Sequence, residues 1–170
     1  TFRRSLLTLT FLMWLAFSAS GQTIRYWAGG ANASYTAASS WSTTLGGPGD
    51  GAPAADNILI IDGSDIGGGL TGAVTITDVP TQALRRLTLQ NNADATLTSG
   101  ASNTLTLGRN APPDGGLEVF GGSILSIGTN VNITLVNNVD ADVYGTLNVG
   151  PGSVYNTGAA GGGQTTTFTG

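Results

Sequence analysis

LTLQNNADATLTSGASNTLTLGRNAPPDGGLEVFGGSILSIGTNVNITLVNNVDADVYGTLNVG, residues 87–150, carries one short phrase four times. It reads LTL at 87–89, LTLG at 105–108, LSIG at 125–128 and LNVG at 147–150. The first leucines of the phrases lie 18 (105 − 87), 20 (125 − 105) and 22 (147 − 125) residues apart. Each phrase sets two apolar side chains at i and i+2 around a small polar one. That is the period of a strand with one buried face, and a closing glycine can then turn the chain. A unit of about 20 residues cannot cover its own apolar face, so its recurrence predicts stacked coils around one continuous core. The expected fold is all-β, a right-handed parallel β-helix of roughly 20-residue coils. Leu87, Leu105, Leu125 and Leu147 are expected to stack as one inward ladder, with Leu89, Leu107, Ile127 and Val149 beside it.

Second strands fall between the phrases, at 95–98, 117–120 and 131–136, so each coil has two or three short faces. Leu84 and Leu87 cannot both point inward from one flat strand, because residues three apart face opposite sides. A corner at Arg85-Arg86 resolves this and leaves both guanidinium groups outside. Asn91, Asn92, Asn130, Asn137 and Asn138 fall at turns, where asparagine tolerates left-handed backbone, and stacked Asn ladders are expected there.

Composition narrows the chemistry. The chain has 170 residues, 27 of them Gly, with 40% hydrophobic but only 9% charged residues, so Thr, Ser and Asn must solubilise the outward faces. All six basic residues are Arg, and there is no His or Cys. Within this chain that excludes Ser-His-Asp triads, thiol nucleophiles, cysteine-held zinc and Schiff-base lysines. Net charge is −4; without Arg3 and Arg4, ten acids stand against four Arg, or −6, which disfavours nucleic acid and anionic lipid.

The N-terminal stretch TFRRSLLTLTFLMWLAFSASG (1–21) runs from two Arg through an apolar segment at 6–17 to small residues, the order of a secretory signal peptide. The apolar segment is shorter than the roughly 20 residues of a membrane span. Cleavage after Ser20 or Gly21 is expected, and with it no membrane association of the mature chain. Residues 22–57 follow as an N-terminal cap and loop. Here Tyr26, Trp27, Tyr35 and Trp41 cluster, two of the three Trp and two of the four Tyr. Large rings can cover the open end of a coil stack, and on that reading Trp27 and Trp41 are buried against the first coils. The other reading makes these four residues a carbohydrate-stacking platform, which needs exposed ring faces.

The segments YWAGG (26–30), SSWSTT (39–44), AP (52–53) and ADNILI (55–60) resemble the N-terminal start of large secreted surface proteins of Bacteroidota type. ALRRLTLQNNADATLTSGASNTLTLG (83–108) resembles the Thr- and Asn-rich coils of their adhesin-like β-helices. The resemblance implies export across both membranes, often by the type IX route with a C-terminal sorting domain. Surface glycans or other cell-surface components are the expected partners.

Strands are expected at 58–61 and 73–77, coils over 58–157, and a Gly/Thr-rich loop running into a truncated further coil over 158–170, with the chain continuing beyond Gly170. Asp62 and Asp65 sit among glycines in DGSDIGGGLTG (62–72), but a calcium β-roll needs Asp at a fixed place in successive turns, and the pattern occurs once. No metal or cofactor is expected. Asp140 and Asp142 lie two apart on one strand face, a spacing that could serve paired carboxylates in glycoside chemistry. Outward threonines Thr75, Thr77, Thr96, Thr98, Thr104 and Thr106 offer a row of the kind that binds ice, yet Asn148 breaks it. The expected role is a non-catalytic, secreted or cell-surface structural and adhesive module. The alternatives are a carbohydrate-active enzyme of pectate-lyase type and a Thr-face ice-binding protein.

Overall fold

The computed structural model describes residues 23–65, 72–109, 116–136, 139–157 and 166–168. The expected signal peptide, the Gly-rich stretch 66–71, Asn137, Asn138 and the loop 158–165 lie outside the described residues. Among those described, the strands are β1 (Ile24–Trp27), β2 (Asn32–Ser34), β3 (Trp41–Ser42), β4 (Ile58–Asp62), β5 (Ala73–Thr77), β6 (Gln82–Leu84), β7 (Arg86–Gln90) and β8 (Asp94–Leu97). They continue as β9 (Asn103–Leu107), β10 (Leu117–Val119), β11 (Ile124–Ile127), β12 (Val131–Leu135), β13 (Ala141–Val143), β14 (Thr146–Val149), β15 (Val154–Asn156) and β16 (Thr166–Phe168). The fold is all-β, and among the described residues every strand pair is parallel except β1 with β3.

Three sheets share these strands, in the orders β16-β13-β10-β7-β4-β1-β3, β14-β11-β8-β5-β2 and β15-β12-β9-β6. From β4 onward the chain visits the three sheets in constant rotation, so each strand pairs with the third one after it. This is compatible with a β-helix. Inward positions are apolar in all three sheets except at Gln82, which is in register with Leu105 and whose amide is bonded to the Tyr35 hydroxyl and Pro53 O. Leu59, Leu87, Leu117 and Ala141 form one column, and Ile61, Leu89, Val119 and Val143 the next, all 1% exposed or less. Neighbouring residues alternate to the outside, as the pleat requires.

The leucine ladder expected from the phrases is not the one that forms. Leu87 pairs with Leu59 and Leu117 in the seven-stranded sheet. Leu105 pairs with Gln82 and Ile133 in the four-stranded sheet, and Leu125 with Ala95 and Leu147 in the five-stranded one. Only Leu125 and Leu147 share a column. The first two steps between phrases each advance the chain by two strands, from β7 to β9 and from β9 to β11, whereas the third, from β11 to β14, advances it by three. Any inward strand on any face can carry the phrase, so its spacing does not report the return to the same face. Those returns are unequal: the one from Ala73 to Asp94 is about half as long as the one from Asn32 to Thr75.

Corners behave as the sequence implies. Leu84 closes β6 and Leu87 lies in β7, both buried, but the corner is Arg85 alone: Arg86 opens β7 and its largely covered side chain pairs with Glu118. The non-glycine residues at positive φ among those described are Asp56, Asp78, Asn91, Asn92 and Asn130. All are Asp or Asn, whose short polar side chains tolerate the left-handed region. Asn92 does not stack on another asparagine, however. Its side chain packs over Gly122 (φ 80°), where an added Cβ would collide with Asn92 Oδ1.

Candidate functional site

At the β1–β3 end, the parallel order stops at antiparallel β3 and three rings fill the core. Trp27, Tyr35 and Trp41 are 1%, 2% and 1% exposed, the burial expected of the two tryptophans. Trp41 meets Trp27 edge-on at 5.1 Å and Tyr35 at 5.4 Å. Buried polar atoms on these rings need partners, and each finds one: Trp27 Nε1–H donates to Gly30 O (3.0 Å), Trp41 Nε1–H to Tyr35 O (2.9 Å) and the Tyr35 hydroxyl to Gln82 Oε1. Burial pushes the Tyr35 hydroxyl far above its ordinary value. A sugar stacks on an open aromatic face, and these three rings present none; Tyr26 is half-buried.

The outer face of the seven-stranded sheet gathers functional groups that lie far apart in sequence. One outer row runs Ile60, Thr88, Glu118, Asp142. Glu118 accepts from Arg86 Nη1 (3.2 Å) and Thr88 Oγ1 (3.0 Å). Asp142 thus stands beside Glu118, on the neighbouring strand. Asp140, its expected companion, precedes β13 and is exposed.

Two residues further along each strand comes a second outer row. Asp62 pairs with Gln90, and Phe120 and Tyr144 follow directly after the Val119↔Val143 pair, placing them in line. Adjacent members of such a row stand about 4.8 Å apart. Asp62 is 2% exposed yet carries a carboxylate, so hydrogen bonds must compensate it. Its Oδ1 accepts from Ser64 N (2.9 Å), Ser64 Oγ (2.5 Å) and Asn91 Nδ2 (3.0 Å), and its Oδ2 from Gln90 Nε2 (2.7 Å) and Asn91 Nδ2 (2.9 Å). Burial alone raises this carboxyl, but the bonds from Ser64, Gln90 and Asn91 outweigh it and hold it below its ordinary value. Above this anchor Gln90, Asn91, Asn92, Phe120 and Gly121 line a recess of about 450 Å³. Phe120 and Tyr144 are 44% and 50% exposed.

Sequence reasoning missed this row. Phe120 and Tyr144 each follow an apolar-acidic-apolar triplet and precede a glycine (LEVFG, ADVYG), a signal that was available but does not match the L-x-L-G phrase. Of the outer threonines, Thr75 pairs with Thr96, and the row continues as Ser126 and Asn148. Among the described residues no group of three or more His, Cys, Asp or Glu could hold a metal ion, and no helix is long and apolar enough to cross a membrane. No protein-family model matches the chain, and comparison with curated proteins and with solved structures finds no match either.

Proposed function

We propose that the chain is a non-catalytic, extracellular or cell-surface structural and adhesive module, wound as a right-handed parallel β-helix with an aromatic cap at the β1–β3 end. The observation that carries this reading is the constant rotation of the strands through three parallel sheets. That rotation spends the chain's apolar residues on one core and leaves rows of Thr, Ser, Asn and Gln outside. The right hand follows from the handedness of parallel crossovers, right-handed in about 98% of cases. Residues 1–21 supply the expectation of export. Asp62 is consumed as a structural anchor, which supports the non-catalytic reading. The test is to label intact and permeabilised producing cells with an antibody against residues 23–157. Equal labelling of both is expected, and labelling only after permeabilisation would overturn a surface role.

One observation favours a second reading, a carbohydrate-active enzyme. Glu118 and Asp142 project side by side from paired positions of neighbouring strands, and a retaining glycosidase likewise needs two carboxyl groups close together. Release of reducing ends from a polysaccharide, lost in both Glu118→Gln and Asp142→Asn, would establish it.

A further inference from the structure

We propose that the recess over Asp62 and the adjoining Phe120–Tyr144 row bind a neutral, unbranched polysaccharide. The inference rests on the module reading and gives that module its ligand. A pyranose ring has an apolar C–H face rimmed by hydroxyl groups, so a site for it needs open aromatic faces beside fixed hydrogen-bonding atoms.

Both are present in one row. Of the large exposed hydrophobic side chains among the described residues, Phe120 and Tyr144 are the two aromatic ones, and each directly follows one of two neighbouring strands, β10 and β13. Next in line come the amides of Gln90 and Asn91. Because Gln90 Nε2 and Asn91 Nδ2 donate to the Asp62 carboxylate, which can only accept, the orientation of both amides is fixed by chemistry. The two carbonyl oxygens and the second N–H of Gln90 are left to meet sugar hydroxyls, which both donate and accept. Asn91 and Asn92 hold left-handed backbone at φ 55° and 60°, which asparagine tolerates, and the bonds from Asn91 Nδ2 to both Asp62 oxygens tie this turn to the sheet. The recess volume of about 450 Å³ suits a small-molecule or single-sugar subsite.

Charge decides which sugar. Glu118 and Asp142 stand in the neighbouring row; Arg86 pairs with Glu118, so these three side chains together leave one negative charge, and the chain as a whole carries −4. Their field repels uronic acids and sulfated sugars and leaves neutral hexoses and pentoses unaffected.

The experiment is calorimetric titration of the full chain with cello-, manno-, xylo- and laminarihexaose, with oligogalacturonate as the acidic comparator. At least one neutral oligosaccharide is expected to bind, with Kd of about 1 mM or tighter. Phe120→Ala and Tyr144→Ala should each weaken binding about tenfold, with melting temperatures unchanged because both side chains are half exposed. Tyr144→Trp, which keeps a ring, should retain binding. Failure of every neutral sugar, stronger binding of oligogalacturonate, or binding indifferent to the double Phe120→Ala/Tyr144→Ala variant would overturn the site. The two proposals fail separately. Surface labelling of intact cells without sugar binding leaves the module and removes the site, whereas hydrolysis of a bound sugar keeps the site and removes the non-catalytic module.

Discussion

The two ends of the sheets treat the same kind of residue in opposite ways. At the β1–β3 end, Trp27, Tyr35 and Trp41 are buried, and residues 53–57 lie along β6 through Gln82 Nε2 to Pro53 O (3.0 Å) and Asp56 N to Ala83 O (3.1 Å). At the other end, β14 and β15 are sheet edges among the described residues, and Val149 and Val154 are 48% and 54% exposed. The contrast is sharpest within one phrase. LSI in β11 buries Leu125 and Ile127 completely, while LNV in β14, paired to it residue for residue, leaves Leu147 half-buried and Val149 exposed. An apolar alternation therefore says which side chains face inward. Whether they are dry depends on a strand on each side.

The largest effect that could break this comparison is at the covered end. Trp41→Ala removes a fully buried ring, two edge-on contacts and the bond to Tyr35 O, and is expected to cost about 3–5 kcal/mol in urea unfolding. A loss near zero would mean that the rings are not part of the core. Next come the paired leucines. Leu125→Ala should cost about 2–5 kcal/mol, and Leu147→Ala distinctly less in the same assay. Equal losses would show that Leu147 is as well covered as Leu125.

Asp62→Asn should follow at about 1–3 kcal/mol, because an amide presents donors to donors where Gln90 and Asn91 now meet a carboxylate. The pH dependence has a definite sign. With its folded value depressed below the ordinary 3.8, Asp62 contributes stability that is fully present above that value and lost as pH falls through the lower, folded one. The variant should therefore melt with a shallower acid limb. The limb should not vanish, because Asp50 is also lowered, first by the Thr43 side chain and backbone and further by Arg25. The smallest effect belongs to the exposed Arg109–Asp56 pair (3.3 Å), where Arg109→Ala should change stability by no more than about 0.5 kcal/mol.

Much of the architecture is readable from residues alone. Alternation locates the strands at 58–62, 73–77 and 131–135 to within a residue. Leu84 and Leu87, three apart and both apolar, reveal a corner, and the asparagines mark left-handed turns. What alternation cannot carry is register between strands, since every face has the same apolar period and only the length of the intervening corners decides which strands meet. The candidate site depends wholly on register. Asp62, Gln90, Phe120 and Tyr144 become neighbours through the returns from Ile58 to Arg86, from Leu87 to Leu117 and from Leu117 to Ala141, no two of equal length. The cluster of Tyr26, Trp27, Tyr35 and Trp41 was legible because it is local, and the burial of three of its rings leaves their function to packing.

Unequal returns have a consequence for how such a chain can change. Paired strands keep their partners whether the path between them is short, as from β5 to β8, or about twice as long, as from β2 to β5, so length added at a corner leaves the pairing on either side intact. Closing a corner twice as long costs only about 0.6 kcal/mol more. Tags, epitopes or whole binding loops should thus be accepted at the exposed corners between β8 and β9 (Gly100, Ala101, Ser102) or between β14 and β15 (Pro151, Gly152), where the chain crosses from one sheet to another. Deleting or adding a single residue inside β7 or β10 would instead turn buried leucines outward.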